Sequence, residues 1–251
     1  MGYPTHIEYA LHLADNALIL GHRNSEWTGY GPILEQDIAL SNIALDLIGQ
    51  ARYLYQYAAR LTGSDTTEDI LAYGRDAWDF RNCLLVEQDN GDWGKTILRQ
   101  FLFSAWQFYF YGQLLHSQDR ELAAIAEKSL KEVTYHLRWS SEWVIRLGDG
   151  TEESHARMER ALEQLWKFTG ELFVPAGYER ALSVAGIAVD LTPLGPMWRG
   201  RVEEVFTEAQ LSLPDAAWMQ RGGKEGRHTE HLGYLLAEMQ FLQKTYPGCE
   251  W

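Results

Sequence analysis

Asp37-Ile38-Ala39-Leu40-Ser41-Asn42-Ile43-Ala44-Leu45-Asp46-Leu47-Ile48-Gly49-Gln50-Ala51-Arg52 places apolar side chains on almost every aspect of a helix. With Ile33 and Leu34 included, no clear solvent face remains, and a helix without one belongs in the middle of a bundle. Pro32 suits a first helical turn and Gly63 a stop, so this helix is expected over residues 32–61. Its polar residues Asn42, Asp46 and Gln50 recur every four positions and form one stripe on that apolar surface.

The same periodicity extends in both directions. Ile7, Leu11, Ala14 and Leu18 predict a first helix ending near the Gly29 to Gly31 turn. Downstream, helices are expected over residues 68–87, 92–116, 121–147 and 154–173, with Asn90-Gly91 and Gly148-Asp149-Gly150 as stops. Shorter helices fall between Tyr178 and Leu211, separated by Pro193 and Pro196. The glycine-rich loop Gly222-Gly223-Lys224-Glu225-Gly226 then leads into a last helix over residues 228–246. Alternating strand-like runs are nearly absent. The chain reads as all-α, an extended four-helix bundle with additional helices. No repeat, low-complexity tract or long linker marks a second domain, so residues 1–251 are expected to form one.

Composition narrows the partners. A chain of 251 residues with 46% hydrophobic content can bury a sizeable core. Ten Trp, thirteen Tyr and nine Phe exceed what small-residue packing needs, and such rings also serve subunit interfaces. A net charge of −13 repels phosphate backbones and anionic lipid, so neither nucleic acid nor membrane is an expected partner. An anionic small molecule requires a local convergence of Arg and Lys. Cys83 and Cys249 match neither a disulfide framework nor a Cys-x-x-Cys site and read as free thiols in a reducing cytoplasm. The first six residues lack a basic segment, so no secretion signal is expected. Residues 101–115 contain Ser104, Gln107 and Gln113 and fall short of the roughly 20 residues that cross a bilayer.

A di-iron site in a helical bundle needs four carboxylates and two imidazoles, with Glu-x-x-His on two helices. The two formal matches, Glu152 with His155 and Glu225 with His228, straddle glycine-rich turns. In the second helix, Asp46 is followed three residues later by Gly49, which has no imidazole. In the fifth, Glu132 is followed by Tyr135, with His136 one residue further on. Lys128 lies one turn before Glu132. Turned inward, it would put fixed positive charge where a metal site holds its cation; turned outward, it makes an exposed pair contributing about 0.2–0.5 kcal/mol. Asp15 reads as a satisfied buried or capping carboxylate, His12 and His22 as surface or interface residues. No metal ligand set is expected. Nor is there a Gly-x-Ser-x-Gly elbow, P-loop or dinucleotide fingerprint. Two basic clusters stand out as anion sites against a plain reading as charged surface: Arg75-Asp76-Ala77-Trp78-Asp79-Phe80-Arg81-Asn82, and Arg221 through His228, whose flexible backbone precedes a helix start.

Several blocks carry a family resemblance: Leu13-Ala14-Asp15-Asn16-Ala17-Leu18-Ile19-Leu20, Ser25-Glu26-Trp27, the opening stretch 37–52, Tyr135-His136-Leu137-Arg138, Gly186-Ile187-Ala188-Val189-Asp190 and His228-Thr229-Glu230-His231-Leu232-Gly233. In order and from end to end, the sequence resembles the PaaC-type subunits of phenylacetyl-CoA epoxidases. The resemblance implies a ferritin-like fold and a cytoplasmic, non-catalytic chain. It would permanently support a related catalytic subunit carrying the di-iron centre. A separate reductase would deliver electrons from NADPH through FAD and an iron–sulfur cluster, leaving this chain without a redox cofactor. The resemblance also implies a contribution to binding the CoA thioester at Asp79, Phe80, Arg81 and Asn82 and at Arg180, Ala181 and Leu182. Of these, Phe80, Asn82, Ala181 and Leu182 are close to the family's residues and the others depart from them. The competing reading is an autonomous di-iron oxidase or metal store built on some of Asp15, Asp46, Glu132 and His136; a third is a free-standing acyl-CoA-binding module.

Overall fold

The helix without a solvent face is the first, not the second. In the computed structural model, which describes residues 3–63, 65–214 and 218–249, α1 (Thr5–Ser25) is buried along nearly its whole length, from Ile7 through Leu20. It packs along α2 (Leu34–Thr62), and α5 (Trp93–Leu114) packs along α6 (Arg120–Gly148). Contacts between α2 and α6 close a core of four long helices. Additional helices make this an all-α extended bundle of the ferritin-like kind, and no strand occurs among the described residues.

These additions are unevenly placed. The short α4 (Leu84–Glu87) and α8 (Gly177–Val184) cover α1, while α7 (Glu152–Leu165) and α9 (Leu194–Glu208) cover α5. α5 is accordingly filled with closely packed rings, Trp106 stacking on Phe110 at 4.5 Å beside buried Phe101 and Phe103. α2 keeps α1, α6 and the short α3 (Glu68–Tyr73) as neighbours. Its outward Leu34, Ile38 and Leu45, at i, i+4 and i+11, are 70%, 52% and 66% exposed. The expectation that α2 sits in the middle of the bundle is therefore corrected: among the described residues nothing covers its outer apolar side chains.

Helix starts follow local chemistry. Asp92 accepts from Lys95 N to cap α5, Asp119 from Glu121 N and Leu122 N to cap α6, and Thr151 with Ser154 forms a capping box for α7. α2 starts two residues later than expected because Asp37 accepts from Gly29 N and Gly31 N, holding the preceding chain in a turn. Pro196 does not separate helices; it lies in the first turn of α9, where its missing N–H leaves no bond unmade. Instead of running to residue 173, α7 ends at Leu165 and gives way to 3-10 turns. The last expected helix divides at Gln240 into α10 (Glu230–Met239) and α11 (Phe241–Thr245).

The largest departure concerns residues 68–87, expected as one helix. α3 stops at Tyr73, a 3-10 turn spans Ala77–Asp79, and the chain is extended around residues 80–83 before α4. Buried side chains take the backbone donors here. Arg81 N donates to Asp15 (2.7 Å), Cys83 N to Asn16 (2.8 Å) and Leu84 N to Glu171 (2.7 Å). With these N–H groups satisfied from outside, a helical ladder has nothing to add. Among the described residues no helix is long and apolar enough to cross a membrane.

At the far end of α6 the chain passes close to the residue that follows α9. A methyl group on Gly148 would fall 2.3 Å from the Ala209 carbonyl oxygen, whereas one on Gly112 of α5 would meet no atom within 4 Å. Gly148→Ala should cost about 1–3 kcal/mol through overpacking, and Gly112→Ala should gain about 0.4–1 kcal/mol by restricting the unfolded chain. Urea titration of both variants checks the pair; equal effects would contradict the close approach.

Candidate functional site

Two polar regions interrupt the apolar core. The first is the seam between α2 and α6, which run antiparallel. Gln36 accepts from both Trp139 (3.0 Å) and Trp143 (2.7 Å), His136 Nε2 donates to Asp46 (2.9 Å), and Gln50 Nε2 donates to Glu132 (2.9 Å). Tyr111 Oη of α5 donates to Gln50 Oε1 at 3.2 Å. The four-residue stripe therefore faces the seam at Asp46 and Gln50, while Asn42 is exposed.

The structure settles orientations that the sequence leaves open. His136, not Tyr135, reaches the seam; Tyr135 points outward and is 38% exposed. Lys128 does not turn inward: it is exposed, donates to Tyr53 Oη at 2.9 Å and lies over that ring. That hydrogen bond raises its pKa. The fixed partner of Glu132 is instead the Gln50 amide. A Cβ on Gly49 would meet open space, so packing does not require the glycine.

The donor set does not fit a di-iron pair. Two helices supply one imidazole, two carboxylates and an amide, and both carboxylates are already bonded within the seam. His136 Nδ1 has no partner, yet no second imidazole joins it; among the described residues no group of three or more His, Cys, Asp or Glu is placed to hold a metal ion. Asp15 belongs to a separate network. Fully buried, it receives both terminal nitrogens of Arg75, Tyr55 Oη at 2.5 Å and Arg81 N. Although burial disfavours a charged Arg75, Asp15 more than offsets this and raises its pKa.

The second polar region lies where the extended segment 80–83 meets the loop 222–229. Glu87, Glu171 and Glu179 are buried there. Glu87 accepts from Asn82, His228, Thr229 N and Thr229 Oγ1 at 2.6–2.8 Å. Glu171 accepts from Leu84 N and Gly222 N, each at 2.7 Å; burial nonetheless pushes its pKa up. Burial would also raise Glu179, but Lys224, 3.0 Å away, together with His12 and Ala176 N, brings it below its usual value. His12 is not a surface residue: it is fully buried, with Nδ1 on the Arg81 carbonyl at 2.7 Å. His22 is only partly buried.

Glycines let the loop and the segment approach. A Cβ on Gly223 would fall 2.2 Å from the Asn82 carbonyl oxygen. One on Gly226, whose φ is +80°, would fall 2.3 Å from the Trp78 carbonyl oxygen and 3.0 Å from Arg81 Nη1. The two basic clusters, far apart in sequence, are thus neighbours. Of the residues implied for CoA, Phe80, Asn82 and Leu182 are buried. Asp79, Arg180 and Ala181 are exposed, and Arg81 is partly so. Glu87, Glu171 and Glu179 do not stand out in the sequence; the only signal is a carboxylate closing the apolar run Leu84-Leu85-Val86-Glu87.

Residues 2–251 match the family described as phenylacetic acid catabolic protein. The chain is 49% identical over 243 residues to a protein of Escherichia coli (strain K12) named as a subunit of 1,2-phenylacetyl-CoA epoxidase, covering 97% of this chain and 98% of that relative.

Asp15→Asn should leave the Arg75 charge buried without its counter-ion and cost about 3–5 kcal/mol. Urea denaturation checks this, and a loss below about 1 kcal/mol would contradict it. A second test uses pH. Burial lowers the His12 pKa below its ordinary 6.5, Glu179 opposing only in part. The fold therefore prefers neutral His12, whose contribution is complete above pH 6.5 and declines as pH falls below it. Between about pH 7 and pH 5 the urea midpoint of His12→Gln should fall less than that of the unmodified chain.

Proposed function

The chain belongs to the phenylacetic acid catabolic protein family, and on that premise we propose that it is the non-catalytic structural subunit of a phenylacetyl-CoA epoxidase complex. In this reading residues 1–251 form one ferritin-like domain that supports a separate di-iron catalytic subunit in the cytoplasm. A reductase carrying FAD and an iron–sulfur cluster supplies electrons from NADPH. The oxygen chemistry that epoxidises the ring takes place on the partner.

The observation that carries this reading is how the α2–α6 seam uses its polar groups. Asp46 is bonded to His136 and Glu132 to Gln50, so the carboxylates that a metal would recruit instead hold two helices together. Around the seam, Leu34, Ile38, Leu45 and Tyr135 remain exposed. An apolar helical face of this kind suits an obligate partner, whose interface resembles a core cut in two and commonly exceeds about 2,000 Å². Because intrachain additions cover α1 and α5, the α2 face is the proposed seat of the catalytic subunit. The thioester substrate lies at the subunit junction, where Asp79, Arg81, Arg180 and Ala181 provide the reachable contacts and Phe80, Asn82 and Leu182 hold the backbone in place.

Co-expression with the catalytic subunit tests the proposal. The unmodified chain should co-purify with it and be required for full epoxidase activity. Placing charges in the face with Ile38→Glu and Leu45→Glu should abolish co-purification while leaving helical content and the urea midpoint of the isolated chain nearly unchanged, since both residues are exposed. Retention of the doubly substituted chain at normal stoichiometry would refute the assigned face. Full activity without the chain would refute a supporting role.

A further inference from the structure

A cleft of about 230 Å³ opens beside the junction of segment 80–83 and loop 222–229, with Arg180, Arg221 and Arg227 on its lining above Glu171 and Lys224. Three exposed arginines line this one cleft although the chain as a whole carries −13. The two charged groups beneath are already committed: Lys224 is paired with buried Glu179, and Glu171 accepts backbone N–H groups. On the rim, Glu225 pairs with Arg227. Arg180 donates to the Pro175 carbonyl, a neutral acceptor. Among the described residues Arg221 has no hydrogen bond or ion pair.

We propose that this cleft is a phosphate receptor and that, in the complex described above, Arg221 and Arg227 join Arg180 in binding the phosphorylated nucleotide end of CoA. The identification of CoA rests on the proposed function; the phosphate chemistry rests on the cleft. Arginine presents a planar fork of donors matched to phosphate oxygens, and charge-assisted bonds of this kind are the stronger class. A polyanion approaching an acidic protein needs such a local reversal of sign. The loop is also positioned for the task. Gly223 and Gly226 press it against the Asn82 and Trp78 carbonyls, so the backbone that carries Arg221 and Arg227 lies beside Arg81. One ligand can therefore touch both clusters.

Calorimetric titration of the full-length chain and of its complex with the catalytic subunit, using CoA, 3′-dephospho-CoA, pantetheine and inorganic pyrophosphate, tests the inference. CoA should bind more tightly than 3′-dephospho-CoA, and both more tightly than pantetheine. Arg221→Glu should weaken CoA binding roughly tenfold or more, the scale of one lost charge-assisted hydrogen bond. Pantetheine binding should be unaffected and Arg221→Lys should restore part of the loss. Pyrophosphate should compete with CoA in the unmodified chain and not in Arg221→Glu. Unchanged CoA affinity in Arg221→Glu and in Arg227→Gln, or equal losses for CoA and pantetheine, would overturn the receptor. A chain that binds pyrophosphate through Arg221 but never joins the catalytic subunit would retain the phosphate chemistry and refute the subunit reading, so the two failures are distinguishable.

Discussion

Asp15 sits on α1 with no access to water, and an ionised carboxylate in that position is tolerable only when surrounded by donors. The chain supplies them from three places: the Arg75 fork, the Tyr55 hydroxyl of α2 and the Arg81 backbone N–H. Satisfying this one group pulls the chain after α3 off a helical path and lays it against α1. Asn16 and Glu171 secure the next N–H groups along. The extended segment then provides the wall against which the loop of Gly223 and Gly226 packs. The position of the arginine cleft thus traces back to a carboxylate in the first helix.

A different balance governs the α2–α6 seam. Long polar side chains span it, each donor meeting an acceptor on the opposite helix, from Gln36 with Trp139 and Trp143 through Asp46 with His136 to Gln50 with Glu132. These pairs replace apolar interdigitation with directional contacts, which specify the antiparallel register more sharply than they add stability. They also draw the carboxylates away from the geometry a metal pair demands. The same helices keep Leu34, Ile38 and Leu45 outside. A polar seam beside an exposed apolar face is the arrangement that the proposed partner subunit would account for.

Much of this is legible in the residues. Long helices with local stops and caps, such as those started by Asp92 and Asp119, fall within a residue or two of expectation because their signals are local. The break between α3 and α4 is not legible, since the acceptors that cause it lie on α1 and near Glu171, distant in sequence. Periodicity identifies α2 as apolar all round but does not separate side chains facing the chain's own core from those left exposed. The stripe of Asp46 and Gln50 and the turn from Glu132 to His136 are visible in the sequence as polar elements of buried helices. Their pairing is not, because the i,i+3 spacing of a metal site favours Tyr135 over His136, and because nothing local shows that Lys128 turns outward to Tyr53. Phe80 and Asn82 illustrate the reverse case: they stand out by matching a family pattern, and nothing local shows that both are buried.

Iron loading tests most directly the proposal that this bundle carries no di-iron chemistry of its own. The full-length chain is reconstituted anaerobically with ferrous iron, exposed to oxygen, and then subjected to metal analysis and Mössbauer spectroscopy. No stoichiometric iron and no coupled di-ferric signal are expected, because one imidazole and two already bonded carboxylates cannot complete a pair of coordination spheres. Two tightly bound irons per chain with a coupled di-ferric spectrum would contradict it.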